Sequence, residues 1–265
     1  MLSPNPTPWF PRETQDETSD AFIQSFARGL AVLTAFKPGH ERLTIAEVAK
    51  ATGLTRASAR RILLTLEHLG YVSLDRRLFF VTAQVLGLVS GYSAQPLWEK
   101  THKVLQALAQ KLNETVSAGI LDGHDVVYTV RVRSSHLLHL ELKEGTRLPA
   151  HASSMGRILL AALPPGSLER FLRTSELAPY TSQTVTDPAI LRQRLKEAQS
   201  QGWCHARDEI VEGVCCVSVP LVDSSGKTLA ALSASISSKR ATMQLIGGTI
   251  VPALREAAES ISATL

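Results

Sequence analysis

Cysteine is scarce in this chain of 265 residues, which carries only Cys204, Cys215 and Cys216. An odd and low count excludes a disulfide framework, and two adjacent cysteines are awkward to pair with each other. The adjacent pair also lacks the spacing of metal ligands and of a Cys-x-x-Cys redox motif. We therefore expect reduced thiols and a cytoplasmic protein.

Long apolar runs and targeting patterns are also missing. No apolar run reaches the roughly 18 residues that a membrane span needs. Residues 1–20 lack the cationic start and the apolar stretch of a secretory signal. Hydrophobic residues make up 44% of the chain and charged residues 20%, which is the mix of a globular protein with a buried core.

Catalytic and cofactor motifs are absent as well. The sequence has no Gly-x-Ser-x-Gly elbow, no His-Glu-x-x-His, no phosphate-binding loop and no dinucleotide fingerprint. His136 and His139 lie three apart in a predicted strand and so point to opposite faces, while His151 and His205 are isolated in the sequence. We predict that the chain is not an enzyme and that it binds neither a cofactor nor a metal ion.

Positive charge is concentrated in one segment. The whole chain has a net charge of +4, and residues 21–82 hold nine basic side chains against four acidic ones. A basic segment of about sixty residues has the size of a small DNA-binding domain, although a solvated basic face gives the same count. Residues 1–19 hold four prolines and many polar residues, which predicts a disordered tail.

The basic segment predicts helices followed by a hairpin. Apolar residues first recur at helical steps. Thr44 and Glu47 have the spacing of a capping box that opens a second helix, and Thr55 caps a third helix that ends near Leu69. Two strand-like runs follow, at residues 71–74 and 78–81. This order is that of a winged helix-turn-helix.

The third helix has an apolar face and an opposite face suited to DNA. The apolar face holds Ala59, Ile62, Leu63, Leu66 and Leu69. The N-terminal half of such a helix enters the major groove, where arginines bind guanine edges or phosphates, and arginines at a hairpin tip reach a minor groove or the backbone. A packing module with surface arginines is the alternative. The predicted DNA contacts are Thr55, Arg56, Ala57, Ser58, Arg60, Arg61, Arg76 and Arg77.

The rest of the chain predicts an α+β domain reached through a linker. Residues 83–113 predict linker helices whose apolar stripe could pack on a partner subunit. Strands are predicted at 115–121, 126–132, 137–142, 203–209, 216–222 and 228–235, and helices near 154–163, 167–173, 189–201 and from 241 onward. The predicted divisions are a tail (1–19), a winged helix-turn-helix domain (20–82), linker helices (83–113) and a second domain (114–265).

Two segments of the first domain carry a family resemblance. Residues 24–33, Gln-Ser-Phe-Ala-Arg-Gly-Leu-Ala-Val-Leu, and residues 53–63, Gly-Leu-Thr-Arg-Ala-Ser-Ala-Arg-Arg-Ile-Leu, resemble the first-helix and recognition-helix motifs of the IclR family of transcription regulators. Residues 145–157 are similar to the regulators of protocatechuate and 4-hydroxybenzoate breakdown within that family. The resemblance implies a C-terminal GAF-like α/β domain with an antiparallel sheet that binds an effector.

The segment around residue 153 is a candidate anion site. Ser153, Ser154 and Gly156 stand where a strand end leads into a helix, and accessible N–H groups there would favour a carboxylate; capping of the helix by serine is the alternative. The resemblance implies that this loop lines the effector pocket, with Ser154 and Met155 as contacts and Gly156 keeping the backbone close.

The resemblance also implies a second pocket wall at residues 208–216, in which Glu209, Gly213 and Cys216 match the family pattern of an acidic pair, a glycine and often a cysteine. Its predicted contacts are Asp208, Glu209 and Cys216. Arg207 departs from that pattern, because related regulators commonly have an aspartate there. It could pair with an acidic effector or with a neighbouring carboxylate.

Strand alternation adds further candidate contacts. Ser233 and Ser235 share one strand face, and their hydroxyls bind either a ligand or the backbone. Arg131 and Arg133 share another face and could neutralise an acid, although a solvated arginine pair is the ordinary alternative. Leu137 and Leu140 are predicted to supply the apolar side.

These observations predict a regulator that responds to a ligand. Its predicted partners are a double-stranded DNA operator, a carboxylic-acid effector (an aromatic acid or a pathway dicarboxylate), a second copy of the chain in a homodimer or tetramer, and RNA polymerase if it activates transcription. A redox regulator that uses Cys216 is the alternative, and a small-molecule-converting enzyme is a more remote one.

Overall fold

The computed structural model describes residues 22–37, 39–93, 96–134 and 142–263. The strand predicted at 137–142 therefore falls almost wholly outside the described residues. The chain divides into two units, residues 1–93 and residues 94–265. Among the described residues, no helix combines the length and the apolar character that crossing a membrane requires.

The helices of the first unit follow the predicted order: α1 (Gln24–Thr34), α2 (Ile45–Thr52) and α3 (Arg56–His68). The Thr44 hydroxyl accepts the amide of Glu47, and the Glu47 carboxylate accepts the Thr44 amide at 2.8 Å, so the predicted capping box opens α2. Gly53 ends α2 at a φ of 68°, a left-handed conformation that glycine adopts at low cost.

Helix α3 and the hairpin share the core of the first unit. Strands β1 (Val72–Asp75) and β2 (Leu78–Val81) pair antiparallel. Ala59, Leu63 and Leu66 on α3 are buried with Phe79 of β2. Leu69 was predicted on the same inward face, but it is 55% exposed because it is the C-cap, where the chain leaves the helix.

The predicted linker is divided between the two units. After a 3₁₀ turn (Ala83–Val85), α4 (Leu86–Ser93) belongs to the first unit, whereas α5 (Pro96–Leu112) belongs to the second. The side chains of Leu86, Leu88 and Val89 are 65%, 57% and 53% exposed. In α5, by contrast, Leu105 and Leu108 are buried in the core of their own unit.

The second unit is built on a six-stranded sheet in which every pair is antiparallel, as predicted. Its order is β5-β4-β3-β8-β7-β6, so strands distant in sequence lie side by side. The strands are β3 (Thr115–Asp122), β4 (Asp125–Val132), β5 (Arg147–Pro149), β6 (Cys204–Arg207), β7 (Val214–Val222) and β8 (Thr228–Ser237).

Helices cover both faces of this sheet. They are α6 (Ser154–Ala161), α7 (Pro165–Thr174), α8 (Pro188–Gln201), α9 (Met243–Leu245) and α10 (Val251–Ser262). One face buries aliphatic side chains such as Val217 and Leu232 against α5 and α10. Because successive strand residues alternate between faces, the residues between them point toward α6, which contacts β7 and β8.

The final segment differs from the single helix predicted from residue 241. Helix α9 continues into a π-helical turn (Ile246–Ile250) before α10 begins. Pro252 has no N–H and cannot bond the carbonyl four residues earlier. A widened turn accommodates that missing hydrogen bond.

Candidate functional sites

The N-terminal half of α3 presents an exposed, basic surface. Arg56, Ala57, Arg60 and Arg61 are exposed, and the buried residues of α3 lie on the opposite side. Ser58 is partly buried. Its amide donates to the Thr55 hydroxyl at 3.1 Å, and its own hydroxyl accepts from that hydroxyl at 3.0 Å. The predicted contacts on α3 therefore lie together on one surface, with small residues between the arginines.

The hairpin tip is a two-residue turn of arginines. Asp75 pairs with Leu78, which leaves Arg76 and Arg77 as the turn, and both are exposed. Arg76 has a φ of 59°, a left-handed conformation that is costly for a residue with a Cβ. Arg42, which sequence reasoning did not single out, bonds the Asp75 carboxylate at 2.9 Å. The carboxylate that precedes the turn is thereby paired with a cation.

The sheet face toward α6 carries a row of hydroxyl groups. Ser117 on β3 pairs with Ser233 on β8, and Ser233 pairs with Ser218 on β7. Arg131 on β4 extends the row, since it pairs with Ser117. The three serines are at most 3% exposed. Here this surface is called the polar face.

A second row lies beside the first on the polar face. Thr115 on β3 pairs with Ser235 on β8, which pairs with Cys216 on β7. Strand alternation predicted Ser233 and Ser235 on one face, and the structure places them so. It missed Thr115, Ser117 and Ser218, although the same polar alternation is present in β3 and β7.

Among the described residues, few hydrogen bonds hold the groups of the polar face. An Nη of Arg131 donates to the Ser117 hydroxyl at 3.1 Å, while its Nε is buried without a hydrogen bond to that part of the chain. The Ser154 and Ser218 hydroxyls bond each other at 2.7 Å. The Cys216 sulfur lies 3.4 Å from the Ser235 hydroxyl. The face therefore keeps hydrogen-bonding capacity that the described part of the chain does not use.

Burial sets the ionisation of the groups around Arg131. Its guanidinium lies 5.7 Å from the centre of the Tyr128 ring. Burial raises the pKa of Tyr128, so its phenol stays neutral. Burial lowers the pKa of Arg131, but an arginine keeps its charge in proteins. The polar face thus contains a partly buried cation.

The thiols of the second unit are poor nucleophiles. Burial raises the pKa of Cys216, although the Ser235 hydroxyl and Arg131 oppose that effect. Burial likewise raises the pKa of Cys204 to about 11 and that of Cys215 to about 12. Since the thiolate is the reactive form, these environments do not favour a redox role.

Both acidic residues predicted to line the pocket are bonded within the protein. The Glu209 carboxylate accepts two hydrogen bonds from the Arg157 guanidinium, at 2.6 and 2.5 Å, and Arg157 is 1% exposed. The Asp208 carboxylate accepts the Gly213 amide at 2.7 Å and the Ser238 hydroxyl at 2.5 Å. Sequence reasoning missed Arg157, because arginines are rarely buried unless they are paired.

The start of α6 is a capped helix terminus. The Gly156 amide was expected to be accessible, but it donates to the Ser153 hydroxyl at 3.0 Å. A Cβ on Gly156 would lie 2.1 Å from the Ala150 carbonyl oxygen, so glycine is needed for packing on the preceding turn. Met155 is 2% exposed and packs in the core beneath α6.

The remaining candidate residues bond backbone carbonyls or fall outside the described residues. Arg207 could pair with an acidic effector or a neighbouring carboxylate by its residue type, and in the structure its guanidinium donates to the backbone carbonyls of Ser238 and Ala241. Arg133 is exposed and bonds the Leu142 carbonyl at 3.4 Å. Leu137 and Leu140, like His136 and His139, fall outside the described residues.

Two sequence profiles cover most of the chain. One, described as the IclR helix-turn-helix domain, matches residues 25–76. The other, described as the bacterial transcriptional regulator IclR C-terminal domain, matches residues 90–263. The chain belongs to the IclR family of transcriptional regulators. The family that the sequence motifs resembled is thereby confirmed, and so is the helix-turn-helix.

IclR-family relatives of the aromatic-acid subgroup match nearly the whole chain. The Pca regulon regulatory protein of Pseudomonas putida is 37% identical over 91% of this chain and 83% of its own length. The p-hydroxybenzoate hydroxylase transcriptional activator of Acinetobacter baylyi is 31% identical over 95% of each chain. These relatives are named as regulators rather than enzymes, as the missing catalytic motifs predicted.

One similar solved structure contains a bound ligand. The crystal structure of an IclR homolog complexed with 4-hydroxybenzoate, from Microbacterium hydrocarbonoxydans, superposes with a TM-score of 0.79. It is 26% identical and covers 90% of this chain and 98% of its own. The ligand belongs to that homolog, and it provides a chemical class to test here.

Proposed function

We propose that this IclR-family regulator binds an operator through α3 and the hairpin turn, and that an aromatic acid bound on the polar face changes that binding. The observation that carries the proposal is the buried polar face itself. On this face of the sheet, the Arg131 guanidinium lies beside buried serine hydroxyls. Burying polar groups without partners is costly, so a ligand that supplies partners is favoured there.

The proposed DNA-contacting surface is the exposed set of residues on α3 and in the hairpin turn. Arg56, Arg60 and Arg61 are candidates for base edges and phosphates, and the small side chains Ala57 and Ser58 permit close approach. Arg76 and Arg77 are candidates for an adjacent groove or the backbone. Much of the affinity should come from phosphate contacts and so should weaken with salt.

The proposed effector site centres on Arg131 and the hydroxyl rows. Arg131 would neutralise the carboxylate, with Ser117, Ser233 and Ser235 as hydrogen-bonding partners and Cys216 beside them. The names of the relatives favour a protocatechuate or 4-hydroxybenzoate pathway acid, and a pathway dicarboxylate is the second candidate. Asp208 and Glu209 would not contact the effector directly. Their carboxylates are already bonded within the protein, so they would hold the surrounding backbone and Arg157 in place.

Dimerisation is part of the proposal. Leu86, Leu88 and Val89 form an exposed apolar strip on α4, and large exposed apolar patches mark interaction sites. A second copy of this chain is the proposed partner, as a homodimer or a dimer of dimers. Two winged helices would then bind the two halves of an approximate palindrome.

The experiment that tests the effector proposal is a thermal-melt panel of the full-length protein. We expect 4-hydroxybenzoate, protocatechuate or β-ketoadipate to raise the melting temperature, since ligand at a hundred times its dissociation constant adds about 2.7 kcal/mol of stability. Succinate serves as the control acid. If none of the pathway acids raises the melting temperature at millimolar concentration, the aromatic-acid proposal is wrong.

A further inference from the structure

Several hydroxyl hydrogens on the polar face have no acceptor among the residues that the structure describes. Ser117 accepts from Arg131 but donates to no described group, and Ser233, midway between Ser117 and Ser218, makes no side-chain hydrogen bond to the described part of the chain. A serine hydroxyl has one hydrogen to donate. A ligand for this face must therefore bring oxygen acceptors at more than one point.

The pair formed by Ser154 and Ser218 has a hydrogen left over. Their oxygens are 2.7 Å apart, and the two residues are 1% and 0% exposed. One hydroxyl donates to the other, which leaves the second O–H without an acceptor within the pair. Among the described residues the pair thus has one O–H without an acceptor, and a ligand oxygen would accept from it.

Arg131 and this serine pair lie at opposite ends of the polar face. Arg131 bonds Ser117 on β3, whereas Ser218 lies on β7, two strands further across the sheet. Neighbouring strands are about 4.8 Å apart, so Ser117 and Ser218 are separated by roughly 10 Å. A small acid lying across β8 can contact both ends.

The two ends differ in charge. The cation of the polar face, Arg131, lies at the β4 end. Near the serine pair, the buried cation Arg157 is already neutralised by Glu209. A second carboxylate at that end would be buried without a counter-charge, which is costly. A neutral hydroxyl suits the serine pair, because it accepts one hydrogen bond without bringing charge.

We propose that Ser154 and Ser218 select acids that carry an uncharged hydroxyl at the end opposite the carboxylate. This inference rests on the proposed function, and it names the ligand class of the same face: a hydroxylated aromatic monoacid. The carboxylate lies at Arg131 and Ser117, and the ligand hydroxyl accepts from the serine pair. Acids that lack that hydroxyl leave the buried O–H unpaired, and 1,4-dicarboxylates place a second charge there.

Calorimetric titration of the full-length protein with three matched acids tests the selection. The probes are 4-hydroxybenzoate, benzoate and terephthalate, which share a ring and differ only at the position opposite one carboxylate. We expect 4-hydroxybenzoate to bind about tenfold more tightly than either of the others, as one buried hydrogen bond allows. Terephthalate binding as tightly as 4-hydroxybenzoate would overturn the proposal.

The double variant Ser154→Ala/Ser218→Ala ties the preference to the serine pair, because either hydroxyl alone could still donate to the ligand. It should bring the affinity for 4-hydroxybenzoate to within about threefold of that for benzoate. Ser175→Ala is the matched control, because the Ser175 hydroxyl is buried without a hydrogen bond to any described residue and lies outside the strands of the polar face. That variant should keep the wild-type preference.

The outcomes separate this inference from the proposed function. If acids bind but the preference for 4-hydroxybenzoate is missing, or survives in Ser154→Ala/Ser218→Ala, the inference is wrong and the effector proposal stands. If the protein binds DNA selected from random duplexes but none of the pathway acids, the effector proposal is wrong and the inference falls with it.

Discussion

The candidate functional residues are exposed in the first unit and buried in the second. In the first unit, the arginines of α3 and the hairpin turn are exposed, and the apolar core lies behind them. In the second unit, the hydroxyls of the polar face are buried within the sheet. An exposed arginine costs the fold little, whereas a buried hydroxyl without a full set of partners costs stability. Substitutions should therefore separate function from stability in the first unit and couple them in the second.

The largest expected effect comes from the buried ion pair of the second unit. Arg157→Met should lower the free energy of unfolding by about 3–5 kcal/mol, because it leaves the Glu209 carboxylate buried without its partner. Denaturant melts of the wild type and the variant measure the change. Adding Glu209→Gln to Arg157→Met should recover part of the loss, and a single variant as stable as the wild type would refute the role given to this pair.

The next effect belongs to the recognition surface. Arg61→Ala should weaken operator binding by about 1–3 kcal/mol if Arg61 contacts a base edge. It should leave the melting temperature nearly unchanged, since the side chain is exposed. Gel-shift titration measures binding, and Arg170→Ala, an exposed arginine of the second unit, is the charge-matched control. Equal affinities for both variants would remove Arg61 from the DNA-contacting surface.

At the hairpin turn we expect a smaller effect, which raises stability and lowers DNA affinity. Arg76→Asn should raise the free energy of unfolding by up to about 1 kcal/mol, because asparagine tolerates the left-handed conformation at the φ of 59° better than arginine does. The same change should weaken DNA binding, because a cation is lost. Chemical denaturation and gel shifts measure the two effects separately, and stabilisation without weaker binding would show that Arg76 does not contact DNA.

The smallest expected effect is a pH dependence of the second unit. Burial lowers the pKa of His151, whose Nε2 lies 3.1 Å from the Ala178 carbonyl. The unfolded chain therefore binds a proton at a higher pH than the folded one does. Stability is present above the ordinary histidine pKa of about 6.5 and is lost as the pH falls below it.

Thermal melts at about pH 5 and about pH 7.5 measure this dependence. His151→Gln should flatten it without removing it, because burial also lowers the pKa of His205. A wild-type melting temperature that does not fall at the lower pH would contradict the assignment.

The same contrast between the units explains what the sequence could predict. The exposed face of α3 and the capping box of α2 follow from spacing within a dozen residues. The polar face does not, because Ser117 and Ser218 become neighbours of Ser233 only when β8 inserts between β3 and β7. Alternation predicted the face shared by Ser233 and Ser235, but the strand order was needed to add the others.

Contacts within the fold also involve two of the residues that were predicted to lie at the ligand. Glu209 matched a pocket pattern, yet its carboxylate bonds Arg157, which is 52 positions away in the chain. Gly156 was predicted to keep the backbone close to a ligand, and in the structure a Cβ on Gly156 would meet the backbone of Ala150. In both cases the residue type was informative, and its partner depended on tertiary packing.

The central claim is that an acid bound at Arg131 controls DNA binding. The direct test is an operator-binding titration, on a duplex selected from random DNA by the purified protein, with and without 4-hydroxybenzoate. It compares the wild type, Arg131→Met and Arg133→Met, the last removing an exposed arginine from the same end of the sheet. The acid should change operator affinity for the wild type and for Arg133→Met but not for Arg131→Met. An Arg131→Met protein that responds to the acid as the wild type does would contradict it.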